Sequence, residues 1–241
     1  MRIFGFRPAL WPTLITVPAV ILTFGLGVWQ VQRLFWKQGV IAERQGRVAL
    51  PVLDGLPAKF DPATQEFRRV RISGAFDHGH ELLRPARSLK EGAIGFQVFT
   101  PFKLDSGGYI FVNRGWVPQQ RALPDARREG QVAGENALLG LLRMPPRAGY
   151  FVPDNNPAKN RWFRIDLAQM AKATGLGPFK SFYVDAGPAA NPGGYPVGGQ
   201  TRLTARNEHL QYAITWFALC LTGIVIYVLY HRRREKKQAG A

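Results

Sequence analysis

The sequence is poor in cysteine and in acidic residues. Its one cysteine, Cys220, cannot form an internal disulfide and leaves too little sulfur for a cysteine-rich metal site. Among 241 residues, 16 are acidic and 32 are Lys or Arg, so the net charge of +16 excludes a disordered acidic tail. A soluble chain with such an excess of positive charge would usually bind nucleic acid or an anionic surface.

Several catalytic motifs are also missing. The sequence has no Gly-x-Ser-x-Gly motif and no Gly-Lys-Ser/Thr phosphate loop, so the common hydrolase and nucleotide sites lack their parts. His78 and His80 lie two residues apart, but the sequence places no third and fourth metal ligand near them. A turn with solvated imidazoles is the favoured interpretation. These absences count against an enzyme.

Long hydrophobic segments at both ends are the strongest positive signal. Residues 8–32 and 210–230 carry no charge, and crossing the hydrocarbon core takes about 20 apolar residues. A cleaved signal peptide is the alternative for the first segment, but this segment is too long and no small-residue cleavage site follows it. The predicted organisation is a cytoplasmic N-terminus (1–10), transmembrane helix 1 (11–32), an extracytoplasmic domain (33–208), transmembrane helix 2 (209–230) and a basic cytoplasmic tail (231–241).

The C-terminal basic cluster sets the predicted orientation. Residues 232–237 contain five Lys or Arg, and such clusters remain cytoplasmic by the positive-inside rule. Arg33, Lys37 and Arg44 after the first span favour the opposite orientation, but the C-terminal cluster is denser. We therefore expect a multi-pass protein of the cell inner membrane, with both termini cytoplasmic and the central domain periplasmic.

The central domain is predicted to be mainly antiparallel β, barrel- or sandwich-like, with one short helix, which gives an α+β membrane protein. Residues 69–76 alternate polar and apolar side chains, and residues 95–104 and 109–116 flank a turn. Pro101 is expected to make its strand an edge strand or to interrupt it. Further candidates are strands over 136–143 and 181–186, and a helix over 167–174 between an Asp166 cap and Gly175.

His209 is the main candidate functional residue. It stands where the second span meets the outer membrane surface, and an ionisable group at this depth is costly without a partner. At helical spacing Tyr212, Ala213 and Trp216 share its face, and neutral imidazole is a good axial ligand for haem iron. An interfacial histidine that only binds water or lipid headgroups is an equally open alternative.

Basic residues supply candidate partners for an anionic ligand. Arg33 and Arg206 fall near the membrane level of His209, where either can pair with a porphyrin propionate, although simple snorkelling explains each one alone. The segment 161–164, Arg-Trp-Phe-Arg, combines basic and aromatic residues as nucleic-acid sites do. Outside the cytoplasm, lipid headgroups or propionates suit these residues better, so no nucleic-acid partner is expected.

Several short motifs, each weak on its own, occur in a characteristic order along nearly the whole chain. They lie at 27–33, 67–76, 100–102, 112–118, 151–166 and 207–217. The string Asn-Arg-Gly-Trp-Val-Pro at 113–118, together with His-Leu-Gln-Tyr-Ala at 209–213, is the specific combination. On these residues the chain resembles a bacterial member of the Surfeit locus protein 1 family, the membrane-bound assembly factors for haem-copper cytochrome c oxidase.

The resemblance implies a non-enzymatic role in which the protein binds haem a transiently and assists its insertion into the catalytic subunit. His209 would be the iron ligand, and the other implied haem contacts are Trp29, Arg33, Arg206, Tyr212 and Trp216. The implied partners are the oxidase catalytic subunit, haem a synthase and the lipid bilayer. Glu208 is expected to tune the basicity of His209 or to bind Arg206.

An alternative role is a membrane scaffold that stabilises the nascent oxidase subunit without binding haem. Exposed strand edges and the Gly/Pro-rich loop at 187–199 would then form its contact surface. The soluble-domain motifs carry no chemistry that the resemblance transfers. From the residues themselves, Asn113 and Gly115 are expected in a turn after a strand, and Trp116 is expected in the core.

Overall fold

A computed structural model describes residues 8–89, 92–147, 149–204 and 206–239. The chain divides into two compact units. One unit comprises the terminal segments, up to Glu43 and from Thr204, and the other comprises Arg44–Leu203. The first contains the long apolar helices, and the second contains the β-strands and the short α-helices α2 (Pro62–Gln65) and α3 (Leu167–Thr174).

Two long helices form the first unit, α1 (Leu10–Ala49, whose last residues belong to the second unit) and α4 (His209–Ala239). Both are long and apolar enough to cross a membrane, as predicted. Pro18 lies inside α1, close to its start, where membrane helices tolerate proline. Each helix continues beyond its apolar segment, and α4 includes the basic tail.

A glycine lets α1 and α4 approach each other closely. A Cβ atom added to Gly27 would lie 2.6 Å from Cε1 of Phe217, so the Phe217 ring or the helices would have to shift to accommodate it. The Phe217 ring also packs against Phe24, with 5.8 Å between the ring centroids. Gly25 has no atom within 4 Å of the equivalent position. Of these two glycines, Gly27 is therefore the one that the helix contact requires.

A seven-stranded sheet organises the described part of the second unit. Its strands are β1 (Leu53–Asp54), β2 (Arg69–Phe76), β3 (Leu82–Arg87), β4 (Ile94–Leu104), β5 (Tyr109–Pro118), β6 (Glu135–Arg143) and β7 (Phe179–Ala186). Strands β2, β6, β7, β5 and β4 pair in that order, and β4 also pairs with β2, which closes a five-stranded barrel. Within the barrel, the β5–β7 pair is parallel and the other pairs are antiparallel. The predicted fold class is therefore confirmed.

Local sequence patterns account for the strands and turns that were predicted. Strand β2 buries Val70, Ile72 and Gly74 and exposes Arg71 and Ser73 between them, which is the alternation of a half-buried strand. The turn between β4 and β5 contains Gly107 and Gly108, both with positive φ. Glycine adopts this conformation without steric cost, so the turn can reverse the chain within four residues.

The position of Pro101 corrects one prediction, because β4 is neither interrupted nor an edge strand. It pairs with β5 along one side, and on the other side with β3 through residues 94–99 and with β2 through residues 102–104. Pro101 lies in the gap between these two partners, where neither β3 nor β2 requires its missing N–H. Its carbonyl accepts a hydrogen bond from the Asp77 backbone at 2.9 Å.

Asn113 and Gly115 lie inside β5, so the predicted turn at these residues was wrong. Gly115 has a φ of 121°, and a Cβ atom there would lie 2.0 Å from the carbonyl oxygen of Val197. The reason is a close backbone contact, since the Trp116 amide donates to that carbonyl at 2.9 Å. Trp116 is buried, as predicted.

Two apolar clusters form the core of the β domain. The cluster centred on the barrel consists of Val70, Ile72, Phe102, Leu104, Ile110, Val112, Leu142, Phe182 and Val184. The second packs Leu167 and Met170 of α3 (Leu167–Thr174) against Trp162 and Phe111. Asp166 caps α3 and Gly175 ends it in the left-handed conformation, as predicted. Burying each large side chain contributes about 1.5–3 kcal/mol.

Candidate functional site

His209 begins α4, and its imidazole is bonded to α1. Its Nδ1 lies 2.7 Å from Oε1 of Gln30, which is buried in the helix contact. An amide oxygen only accepts hydrogen bonds, so Nδ1 is the donor in this contact, and in the neutral tautomer Nε2 carries the lone pair. The described part of the chain supplies no hydrogen-bond partner for Nε2. The bond to Gln30 therefore orients the ring, and Nε2 is the nitrogen that could bind a metal.

Of the three aromatic residues predicted as haem contacts, Tyr212 and Trp216 lie about one and two turns beyond His209 on α4, and Trp29 precedes Gln30 on α1. Trp29 and Tyr212 leave 50% and 53% of their surfaces exposed, and Trp216 is half-buried. Ala213, predicted on the same face, is buried. The small residue therefore lies on the packed side of α4, while large apolar rings border the open side.

The two predicted arginines occupy different environments. The Arg33 guanidinium lies over the ring of Trp36, 4.3 Å from its centroid. Arg206 is largely exposed and forms an ion pair with Glu208, which confirms one of the two roles expected for that acid. The Lys37 ammonium donates to the backbone carbonyl of Arg206, so the segment leading into α4 is also attached to α1.

A second set of polar contacts joins α1 and α4 at the other end of the helix pair. The hydroxyls of Thr13 and Tyr227 lie 2.7 Å apart. The Ala9 amide donates to Nε2 of His231 at 3.0 Å, and Nδ1 of His231 donates to the Tyr227 carbonyl at 2.8 Å. Both ring nitrogens of this buried histidine are occupied. His231 thus has a structural role, in contrast to His209.

Comparison with known proteins supplies the family. The sequence model of the SURF1 family matches residues 17–221. The chain is 42% identical to Surfeit locus protein 1 of Homo sapiens over 217 residues, which cover 83% of the chain and 70% of that protein. The chain belongs to the SURF1 family. The resemblance predicted from its motifs is therefore confirmed.

Other members of the SURF1 family show similar agreement. Surfeit locus protein 1 of Takifugu rubripes is 40% identical over 225 residues, which cover 86% of the chain and 90% of that protein. The SURF1-like protein of Drosophila melanogaster is 37% identical over 228 residues, with 86% and 72% coverage. The region that matches the family model contains Gln30, the β domain and His209.

The β domain of this SURF1-family protein contains a buried ion network around Glu81. Its Oε2 accepts from Nη2 of Arg127 at 2.6 Å, and its Oε1 accepts from Nη1 of Arg114 at 3.3 Å. Both arginine side chains are at most 2% exposed. Burial alone would raise the pKa of Glu81, but hydrogen bonds from His78 and Arg127 lower it to about 2. The carboxylate therefore stays ionised between two cations.

A second network centres on Asp185 of β7. Asn113 donates to its Oδ1 at 2.7 Å, and Thr201 and Arg143 donate to its Oδ2 at 2.8 and 3.2 Å. Burial raises the pKa of Asp185, and the charge of Arg143 opposes that shift. Asn113 and Arg114, adjacent in the family string at 113–118, thus belong to two different networks. Both connect strands of the barrel to other segments.

The histidine pair predicted at 78 and 80 lies in a 3₁₀ turn, His78–His80. His80 is partly exposed and contacts Asp77, but His78 contacts the Glu81 carboxylate and the Val132 carbonyl. The expected turn is confirmed, whereas His78 is not simply solvated. Among residues 8–239, apart from the gaps given above, no three His, Cys, Asp or Glu side chains cluster as metal ligands.

Three polar residues that belong to the candidate site or to the ion networks were not predicted from the sequence. They are Gln30, Glu81 and Asp185. Gln30 carried a usable signal, because an amide in an apolar helix costs free energy unless it finds a hydrogen-bond partner. Glu81 and Asp185 carried none, since their arginine partners are at least 33 residues away in sequence. Only the fold brings these charges together.

Proposed function

We propose that the protein is a membrane-bound assembly factor for haem-copper cytochrome c oxidase that binds haem a through His209 and passes it to the catalytic subunit. Family membership supports the oxidase role. The hydrogen bond between Gln30 and His209 carries the haem-binding part, because it leaves Nε2 as the available lone pair. Ligands to metals commonly donate their other ring N–H in this way.

The residues around His209 suit a flat, apolar cargo with two carboxylates. Haem supplies an iron that accepts the imidazole lone pair. Trp29 precedes Gln30 on α1 and Tyr212 lies one turn along α4 from His209, and both rings are half exposed, which suits an apolar cargo. Arg33 and Arg206 carry guanidinium groups suited to propionates, to which arginine can donate two parallel hydrogen bonds.

The ion pair between Arg206 and Glu208 is compatible with cargo transfer. Its two side chains are 87% and 38% exposed, and exposed pairs contribute only about 0–1 kcal/mol. A propionate can therefore replace Glu208 as the partner of Arg206 at little cost. A carrier must release its cargo, so contacts that exchange easily are an advantage over a fully buried site.

The membrane orientation is part of the same proposal. The basic tail of α4 stays in the cytoplasm by the positive-inside rule, so an even number of spans leaves both termini there. The β domain then lies on the periplasmic side of the cell inner membrane. His209 follows that domain in the chain and lies at the outer surface, where the catalytic subunit and haem a synthase can be reached.

A scaffold that holds the oxidase subunit without haem is the second candidate function, and two residues favour it. Tyr150 and Phe151 are completely exposed in the β domain, and large apolar side chains in this state are typical of protein contact sites. The loop at 187–199, the other expected contact surface, is attached to the barrel through Val197 and exposes residues 188–190 and 192–194.

An absorption spectrum of the full chain, purified from cells that make haem a, tests the first function. We expect His209→Ala to lose most of the bound haem with unchanged circular dichroism, and His80→Ala to retain it. Unchanged haem in His209→Ala would refute the ligand assignment. Oxidase assembly in cells that carry His209→Ala separates the candidates, because it should fail for a haem carrier and proceed normally for a scaffold.

A further inference from the structure

We infer that the C-terminal end of α4 carries a binding site for the headgroup of an anionic phospholipid. A groove of about 640 Å³ runs along one face of the helix. Its apolar part is formed by Ile226, Leu229 and Tyr230, and its basic part by Arg233, Arg234 and Lys237. The site goes beyond the proposed function and does not require haem binding.

Helix geometry explains why these residues share a face. They follow one another at intervals of three or four residues, except for the adjacent pairs, and one turn takes 3.6 residues. The order along the axis is apolar first and basic afterwards. A phospholipid presents the same order to a membrane helix, with acyl chains below and a charged phosphate above, so one molecule can contact both parts of the groove.

The middle of the groove lies away from the helix contact. Leu229 and Arg233 are about 120–160° around the helix from Tyr227 and His231, which bond to α1, whereas Arg234 lies at the border of the groove on their side. Ile226, Leu229 and Tyr230 are 62%, 48% and 50% exposed. Glu235, the one acidic residue in the tail sequence 231–241, falls on the side opposite Arg233 and Lys237. The basic part of the groove thus contains no carboxylate.

Charge and apolar surface together identify the ligand class. Free phosphate would use the three cations but would leave the apolar part empty, and a zwitterionic lipid would use the apolar part without net charge attraction. Basic residues beside a membrane helix attract anionic headgroups at close range. An anionic phospholipid is the ligand that uses both parts of the groove.

Native mass spectrometry of the full chain in detergent tests the site. The protein is titrated with phosphatidylglycerol, with phosphatidylcholine of the same acyl chains, and with inorganic phosphate, and bound ligand is counted. The test variant is R233Q/K237Q. The matched control is R232Q/K236Q, which removes two cations at the same spacing from another face of the same exposed tail.

We expect R233Q/K237Q to weaken phosphatidylglycerol binding about tenfold or more, and the control to weaken it less than about threefold. Phosphatidylcholine and inorganic phosphate should bind weakly to all three proteins. Equal losses in both variants would show diffuse charge attraction and overturn the site. Binding of inorganic phosphate that R233Q/K237Q abolishes would identify a phosphate site instead, and equal affinity for the two lipids would refute recognition of the anionic headgroup.

Discussion

Oε1 of Gln30 lies 2.7 Å from Nδ1 of His209, and this bond crosses from one membrane helix to the other. It fixes three properties of the imidazole at once: the tautomer, the ring orientation and the nitrogen that remains available. In the proposed function Gln30 would be a positioning residue, because it would act on the haem through His209. The four predictions that follow begin with this contact.

Gln30→Leu should weaken haem binding by roughly 10- to 100-fold, because His209 loses the acceptor that orients it. Gln30→Glu keeps an acceptor at the same position and should restore binding, with a shift in the haem absorption bands from a more basic ligand. Haem titration followed by absorption spectroscopy measures both effects. Equal losses in the two variants would mean that Gln30 only fills space.

Gly27→Ala should destabilise the helix pair by about 1–3 kcal/mol, because the added methyl collides with the ring of Phe217. Gly25→Ala is the matched control and should be neutral, since nothing lies within 4 Å of that position. Thermal unfolding in detergent, followed by circular dichroism, measures the difference. Adding Phe217→Leu to Gly27→Ala should recover part of the loss, and no recovery would contradict the proposed collision.

Glu81→Gln should destabilise the β domain by about 3–5 kcal/mol, because Arg114 and Arg127 remain buried without their carboxylate. Glu135→Gln, at an exposed position in β6, should change stability by less than about 0.5 kcal/mol. Urea unfolding monitored by the emission of the buried Trp116 and Trp162 measures both variants. Similar midpoints for the two variants would argue against an energetically important network.

The stability contributed by Glu81 should disappear in acid. Its pKa is about 2 in the folded protein against 4.5 when unperturbed, so the ionised form stabilises the fold. This contribution is complete above pH 4.5 and is lost as the pH falls towards 2. The difference in unfolding free energy between the native chain and Glu81→Gln should therefore shrink across this interval. A difference independent of pH would contradict the assignment.

The structural features that were predicted correctly from the sequence are those that depend on local patterns. Uncharged apolar segments predicted both long helices, alternation predicted β2, and Asp166 and Gly175 predicted the limits of α3. The prediction of an edge or interrupted strand at Pro101 was wrong for a non-local reason. The surroundings of Pro101 depend on where the pairing of β4 with β3 ends and its pairing with β2 begins. A single strand in isolation does not contain that information.

The candidate site also contains one residue that local sequence predicted and one that it did not. His209 was found because an ionisable group at a membrane boundary stands out in an apolar segment. Its partner Gln30 was not found, since 179 positions separate the two residues and nothing local relates them. The barrel closure and the two ion networks depend on pairings of the same long-range kind. Charged residues such as Arg114 and Asp185 look like ordinary surface residues until the chain is folded.

The polar contacts at the two ends of the helix pair also define a length. Seventeen residues separate Thr13 from Gln30 on α1, and eighteen separate His209 from Tyr227 on α4, so both intervals span about 26 Å. That distance approaches the thickness of a hydrocarbon core, about 27–30 Å. The depth of the His209 imidazole is therefore coupled to lipid chain length. A thicker bilayer would draw its Nε2 below the headgroups, and a thinner one would expose it to water.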